Sequence, residues 1–316
     1  MTKPDSSSKI AVCSRSFSRN KLLRKELLSR YSNVKFNDDG LTLSGESLVN
    51  FLNGCDKAIT ALEVIDDKIL SQLPGLKAIG KYGVGLDMID IEAIRKYGIH
   101  LGWTGGVNKR SVSELVVSLA ISLLRFIPLS NSEVLSGRWK QHVGSLLTGK
   151  TVGIIGCGNI GKDLVKLLQN FNCNIISNDL KEFPEFYQQY NIESAPLDLL
   201  LTKSDIVTLH VPLDISTKNI LNLNKLKLMK SSAILINTAR GGLVDEIALK
   251  NMLIGRNIAA AAFDVFLEEP PTDYELLKLE NFFVTPHIGG SAKESILAMG
   301  MAAIDGLDNN ILDSNF

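Results

Sequence analysis

The residues whose chemistry is easiest to name form the stretch Gly156-Cys157-Gly158-Asn159-Ile160-Gly161. An apolar run, Thr151 to Ile155, leads into it, and the amphipathic helical pattern KDLVKLLQNF leads out. In such a strand-to-helix turn the first glycine permits a tight bend, and the second lets a pyrophosphate approach the backbone. The third lets the helix pack closely on its sheet, with the phosphates at the helix N-terminus. The next apolar run, CNIIS, ends at Asn178-Asp179, where a carboxylate suits the two ribose hydroxyls of a dinucleotide. Asp179 favours NAD over NADP, because a 2′-phosphate would meet a like charge, although Lys181 nearby works the other way. Cys157, inside the loop, would make the site sensitive to oxidants and thiol reagents. An ordinary glycine-rich turn is the plainer alternative, and the succession of strand, helix and terminal acid argues against it.

A nicotinamide cofactor implies hydride transfer. If the substrate is an alcohol or ketone, a proton must also be exchanged with its oxygen. Of the four histidines, His100 lies inside a strand-like run and His142 in a polar connection. His210 and His287 each end an apolar run. Ligands of open α/β sheets bind beyond the carboxyl ends of the strands, so both are candidates for the acid/base. Arg240 leaves the run ILINTA for Gly241-Gly242, where a guanidinium can grip a carboxylate through two hydrogen bonds. Ala262-Phe263-Asp264 leads on to Glu268-Glu269-Pro270, and either glutamate can fix an imidazole's tautomer and stabilise the imidazolium. Taken singly, these are a strand-end histidine, a surface ion pair and a solvated acidic pair. Arginine, acid and histidine at three successive strand ends of one nucleotide-binding unit is a rarer combination.

The elements that must position them alternate. Strand-like runs at IAVCS, DKAITAL, LKAIGKYG and GIHLGW are separated by the helical patterns NKLLRKELLSRY, ESLVNFL, DDKILSQL and IEAIRKY. A second series follows from 151 to about 288: TVGIIG, NIISND, DIVTLHV, SAILINTA, IAAAAFDV and NFFVTP. This alternation predicts an α/β fold of two doubly wound parallel sheets, the cofactor unit being the second. Between the series runs SVSELVVSLAISLLRF (111–126), apolar nearly all round, with Ser111 and Glu114 spaced as a capping box. One more helical pattern follows residue 290.

With 45% hydrophobic and 22% charged residues, the 316-residue chain has ample core for two domains. Thirty-four basic and thirty-four acidic residues cancel, which gives no support to nucleic-acid or anionic-membrane partners. The polar start MTKPDSSSK reads as a tail without a signal peptide's apolar core, and no run reaches the ~20 apolar residues of a membrane span. Cys13, Cys55, Cys157 and Cys173 lack CxxC spacing and read as reduced thiols of a cytoplasmic protein, with no metal expected.

From about Leu76 to Glu294 the chain resembles the D-isomer-specific 2-hydroxyacid dehydrogenases, especially members similar to D-3-phosphoglycerate dehydrogenase. Seven segments come in that family's order: LKAIGKYGVGLDMIDIEAIRKYGI, GVNKRSVSE, LTGKTVGIIGCGNIGK, HVPLDISTKNILN, INTARGGLVDEIAL, AAFDVFLEEP and VTPHIGGSAKE. The resemblance implies that Arg240 holds the substrate's carboxylate and carbonyl oxygen, and that His287 is the acid/base. It selects Glu269, directly before Pro270, as the histidine's partner. It also implies cofactor contacts at Gly156, Gly158, Asn159, Ile160, Gly161, Asp179, His210, Val211, Pro212, Thr238, Ala239, Asp264, Gly289 and Gly290, with Asp264 near the nicotinamide ring. Substrate contacts are implied at Val84, Gly85 and Asn108. Residues 1–107 and 290–316 would form a flavodoxin-like substrate-binding domain, with 108–289 an inserted NAD-binding Rossmann domain. The substrate would be a small 2-hydroxy or 2-keto acid, and the 111–139 helix and arm, including Trp139, would form a homodimer interface.

Two departures bear on the substrate. Phosphoglycerate-specific relatives carry Arg-Ser after an early strand, where this chain has Ala61-Leu62-Glu63, with no cation and one like charge. An Asn-Thr-Pro-Gly-type run is replaced by Trp103-Thr104-Gly105-Gly106, whose indole would narrow the pocket, stack on a substrate or pack between domains. Reduction of glyoxylate, hydroxypyruvate or another 2-keto acid is therefore the alternative activity. NAD(H) sensing by a corepressor-like protein is the alternative of a different class.

Overall fold

The computed structural model describes residues 7–309. The first six residues of the polar start, and 310–316 at the end, lie outside the described residues. Two compact units divide the chain, one made of 1–108 and 293–316 and the other of 109–292.

In the first unit, β1 (Lys9–Val12), β2 (Asn33–Phe36), β3 (Lys57–Thr60), β4 (Ala78–Lys81) and β5 (His100–Gly102) form one parallel sheet in the order β2-β1-β3-β4-β5. That is the flavodoxin-like winding. Ala58, Ile79 and Leu101 face one buried cluster; Ile10, Val12 and Ile59 face another. The last helix, Lys293–Asp305, packs on this sheet, which the sequence pattern did not specify. Glycines make the approach: a Cβ at Gly80 would lie 2.2 Å from the Ala303 carbonyl oxygen.

In the second unit the seven strands are β6 (Thr151–Ile155), β7 (Asn174–Asn178), β8 (Ile192–Ser194), β9 (Ile206–Leu209), β10 (Ile234–Asn237), β11 (Ala260–Phe263) and β12 (Phe282–Val284). Their order, β12-β11-β10-β9-β6-β7-β8, is parallel throughout. The winding reverses between β6 and β9, and such a switch point opens a crevice at the carboxyl ends of the strands. The buried sheet explains the near-continuous apolar runs: all four residues of β9, β10 and β11 are buried.

The long helix spans Lys109–Leu124 rather than 111–126, so Ser111 lies in its first turn and not at its N-cap. The expected Ser111–Glu114 capping box is therefore absent. Val112, Val116, Leu119, Ala120 and Leu123 are buried, and the helix packs on Asn159–Leu168. DDKILSQL yields a helix only at Asp67–Leu70. Among the described residues, no single helix is long and apolar enough to cross a membrane.

Candidate active site

The glycine loop follows β6 at the switch point. Gly156 has φ +95°, and its amide donates to the Asn178 carbonyl at 2.8 Å. A Cβ there would lie 2.8 Å from the His210 backbone, so β6 and β9 diverge too little for any side chain. A Cβ at Gly158 would meet nothing within 4 Å, whereas one at Gly161 would press to 2.3 Å from the Gly156 carbonyl oxygen. The first and third glycines are thus needed for closeness and the second opens onto free space. Helix Asn159–Leu168 begins at Gly158 with no side-chain cap, which leaves its first amides for an anion.

Asp179, just beyond β7, accepts from the Cys157 amide at 2.6 Å and the Lys181 amide at 2.8 Å. Its carboxylate is thereby fixed beside the loop. Cys157 is fully buried, and burial pushes its thiol up from the ordinary range. The expected sensitivity to thiol reagents does not follow, because the nucleophile is the exposed thiolate.

The register brings three strand ends level: Asn237 pairs with Phe263, and Phe263 with Val284. Beyond β10, buried Asn237 shapes the turn. Its Nδ2 donates to the Arg240 carbonyl at 2.8 Å, and its Oδ1 accepts from the Ala239 amide at 3.1 Å. Arg240 is half-buried and its Nη1 donates to the Ala239 carbonyl at 2.7 Å. Gly241 then touches the loop after β11 so closely that a Cβ would fall 1.9 Å from the Phe266 carbonyl carbon.

That loop is held by two carboxylates. Glu269 Oε1 accepts from the Phe266 amide at 3.1 Å, and Glu246 Oε1 accepts from the Leu267 amide at 2.9 Å. Burial pushes the Glu246 carboxyl above its usual range, with Asp273 adding a smaller like-charge contribution and the Leu267 amide opposing both. The Glu269-Pro270 peptide is cis. Glu269 Oε2 lies 2.8 Å from Nδ1 of His287, which leaves the other ring nitrogen, Nε2, for a substrate. Both side chains are about half exposed, at 52% for His287 and 39% for Glu269.

His287 is itself fixed by backbone geometry. It adopts φ +54°, uncommon for a non-glycine residue, and its amide donates to the carbonyls of Asp264 at 2.9 Å and Thr285 at 3.1 Å. The buried Asp264 carboxylate accepts from Thr285 Oγ1 at 2.5 Å, the Ile288 amide at 2.7 Å and the Gly289 amide at 2.7 Å. Asp264 therefore ties the histidine's loop to β11. His210, the rival candidate, differs. Its Nε2 contacts Thr208 Oγ1 at 3.0 Å, its Nδ1 is enclosed, and burial pushes it down to about 3. It is neutral at ordinary pH and, among the described residues, has no carboxylate partner.

The substrate residues expected in the first unit lie beyond β4 and β5. Gly83 has φ +124°, and the Val84 carbonyl accepts from Trp103 Nε1 at 3.0 Å, so the indole braces the Val84-Gly85 turn. Trp103 packs against this unit's own core. Glu63 bends back, its Oε2 accepting from the Ala61 amide at 2.6 Å, and the buried Lys81 ammonium donates to the Ala61 carbonyl. Asn108 closes the unit at the crossing to the long helix.

Residues 117–289 match the model of the D-isomer specific 2-hydroxyacid dehydrogenase NAD-binding domain. The chain belongs to the D-isomer-specific 2-hydroxyacid dehydrogenases. A hydroxypyruvate reductase of Thermotoga maritima is 39% identical over 235 residues, 73% of this chain and 76% of that protein. A D-3-phosphoglycerate dehydrogenase of Methanocaldococcus jannaschii is 40% identical over 235 residues, 73% of this chain but 45% of that protein. The chain thus spans about half the length of the phosphoglycerate dehydrogenases it matches. The crystal structure of a glyoxylate reductase from Paecilomyes thermophila superposes with a TM-score of 0.85 at 26% identity, covering 95% of this chain and 94% of that one.

The match to the family's NAD-binding domain gives NAD as the cofactor, and the glycine loop fits it: uncapped helix amides, open space at Gly158 and an acid at the end of β7. Arg240, Glu269 and His287 lie along one edge of one sheet, linked through the Gly241–Phe266 contact and the Glu269–His287 bond. Val84, Gly85 and Asn108 belong to the other unit. The sequence marked Ser111 only as a helix cap and did not single out Asn237, Glu246 or Thr285. The signal was there for two of them: Asn237 ends an apolar strand, and Glu246 opens a helix after Asp245.

Proposed function

We propose that this chain is an NAD-dependent oxidoreductase, similar to D-3-phosphoglycerate dehydrogenase, that interconverts a D-2-hydroxy acid and its 2-keto acid. The observation that carries it is the 2.8 Å pair between His287 and Glu269, an imidazole with one nitrogen held by a carboxylate. In the oxidising direction neutral His287 takes the hydroxyl proton, and in reduction the imidazolium returns it to the carbonyl oxygen. Glu269 holds the tautomer with the proton on Nδ1 and stabilises the imidazolium. Arg240 grips the carboxylate and sets the reacting carbon in place; such positioning, with the acid/base's ~10²–10⁴-fold, accounts for the residues' part. NAD, when bound, supplies the two-electron chemistry by accepting or giving a hydride.

A second reading, reduction of glyoxylate, hydroxypyruvate or another unphosphorylated 2-keto acid, is favoured by the Ala61-Leu62-Glu63 loop. There the acid folds onto its own backbone and the neighbouring Lys81 is already engaged. The same chemistry serves both. Four free cysteines support a cytoplasmic, reducing setting. The arm after the long helix supports a homodimer, since Leu135, Trp139, Val143 and Leu146 are mostly exposed on it.

The experiment is a panel of 2-keto acids, 3-phosphohydroxypyruvate included, offered with NADH and followed by cofactor absorbance. Turnover is expected on at least one, and the preferred substrate separates the two readings. NADH binding without turnover on any would instead support a sensing protein.

A further inference from the structure

The chain passes between the two units twice, into the second after Asn108 and out of it after Ala292. One side chain joins the segments that adjoin these crossings. Ser111, in the first turn of the long helix, donates through Oγ to the Gly289 carbonyl at 2.6 Å. The same oxygen accepts from the Ala292 amide at 3.4 Å. Gly289 is two residues from His287 and donates its own amide to Asp264. It lies between Asp264 and the helix with no room to spare: a Cβ there would be 3.1 Å from Asp264 Oδ2 and 3.5 Å from Val112. Arg110, the preceding residue, anchors this helix turn through a two-point ion pair with Asp163, each contact 3.0 Å.

We propose that Ser111 is a positioning residue for His287. Its hydroxyl fixes the far side of the histidine's loop to the start of the long helix, while Asp264 fixes the near side to β11. The loop needs both anchors because His287 sits at φ +54°, a conformation that persists only where its surroundings impose it. The two bonds also set the crossing segments against each other at one point. A displacement of either segment is thereby transmitted to the acid/base. This rests on the acid/base role of His287.

The test compares Ser111→Ala with Ser111→Thr, which keeps the hydroxyl, using the full chain with thermal melts to verify folding. Two readouts are needed. The first is kcat for the best 2-keto acid of the panel, with NADH affinity alongside. The second is the downfield proton resonance of His287 Nδ1–H, which reports the bond to Glu269 whether or not the protein turns over.

Ser111→Ala is expected to lower kcat by roughly tenfold, since small misplacement of a reacting group is costly. NADH affinity should change less than about twofold, and the proton signal should broaden or vanish. Ser111→Thr should retain kcat and signal. Folded Ser111→Ala with unchanged kcat and an intact signal overturns the proposal. So does folded Ser111→Thr that loses both, which decides the matter if the alanine variant does not fold. Loss of the signal in a protein whose wild type turns over no keto acid keeps Ser111 as the anchor and refutes the enzymatic reading instead.

Discussion

His287 and His210 end neighbouring regions of one sheet, yet their surroundings give them opposite uses. His287 is half exposed and faces Glu269; His210 is partly buried, its ring bonded to Thr208 Oγ1 with Nδ1 enclosed, and pushed down to about 3. Replacing Glu269 by Gln removes the negative charge next to the imidazolium. We expect kcat to fall on the order of 10²-fold, with NADH affinity retained, as steady-state kinetics and a fluorescence titration will register. For His210 the prediction concerns stability. Its folded value lies below the ordinary 6.5, so between about 6.5 and 3 the unfolded chain binds a proton that the folded one refuses. Folding stability therefore falls with decreasing pH across that window, by at most about 1.4 kcal/mol per pH unit. Urea titrations of His210→Asn should give a flatter dependence there, and an unchanged dependence would contradict the assignment.

At the scale of elements, the site depends on loops that approach one another at glycines. Gly241 carries the turn bearing Arg240 against Phe266, and a methyl group there would overlap backbone atoms at 1.9 Å. We expect Gly241→Ala to destabilise the protein by about 1–3 kcal/mol and to abolish turnover, measured by thermal melting and assay. Conservation of melting temperature and rate would contradict the contact. The strands around the site were legible because buried parallel strands read as continuous apolar runs: ILIN, AAAF and IVTL have no other use. β2 and β8 were not legible. They are edge strands of four and three residues, NVKF and IES, with only Ile192 buried between them, too short and too lightly buried to mark a strand. The Ser111–Glu114 spacing misled for a related reason, since spacing cannot tell a cap from a first-turn serine whose hydroxyl has a partner far along the chain. That partner, Gly289, is 178 residues away. Asp264 was legible as a strand-end acid, but its three donors belong to a loop whose path only the structure supplies.

At the scale of the whole molecule, the two windings, flavodoxin-like and Rossmann-like, follow from strand order, and each has its own core. The arm after the long helix is built differently. It folds back through the Ser145 amide onto the Leu124 carbonyl at 2.9 Å and through a 2.6 Å contact between His142 and Glu133. Trp139 at 85% exposure and Val143 at 95% have no core of their own to join. A second copy covering this arm predicts a dimer in light scattering, and a charged substitution, Val143→Asp, should yield a folded monomer with unchanged melting of each protomer's core. A monomeric wild type would remove the interface.

The account depends most on His287 acting as the group that moves the proton. Its most direct test is His287→Ala, with kcat on the preferred 2-keto acid and NADH affinity by fluorescence measured on one preparation. We predict a loss of on the order of 10²–10⁴-fold in kcat with NADH affinity retained. Near-normal turnover in that variant would contradict the account.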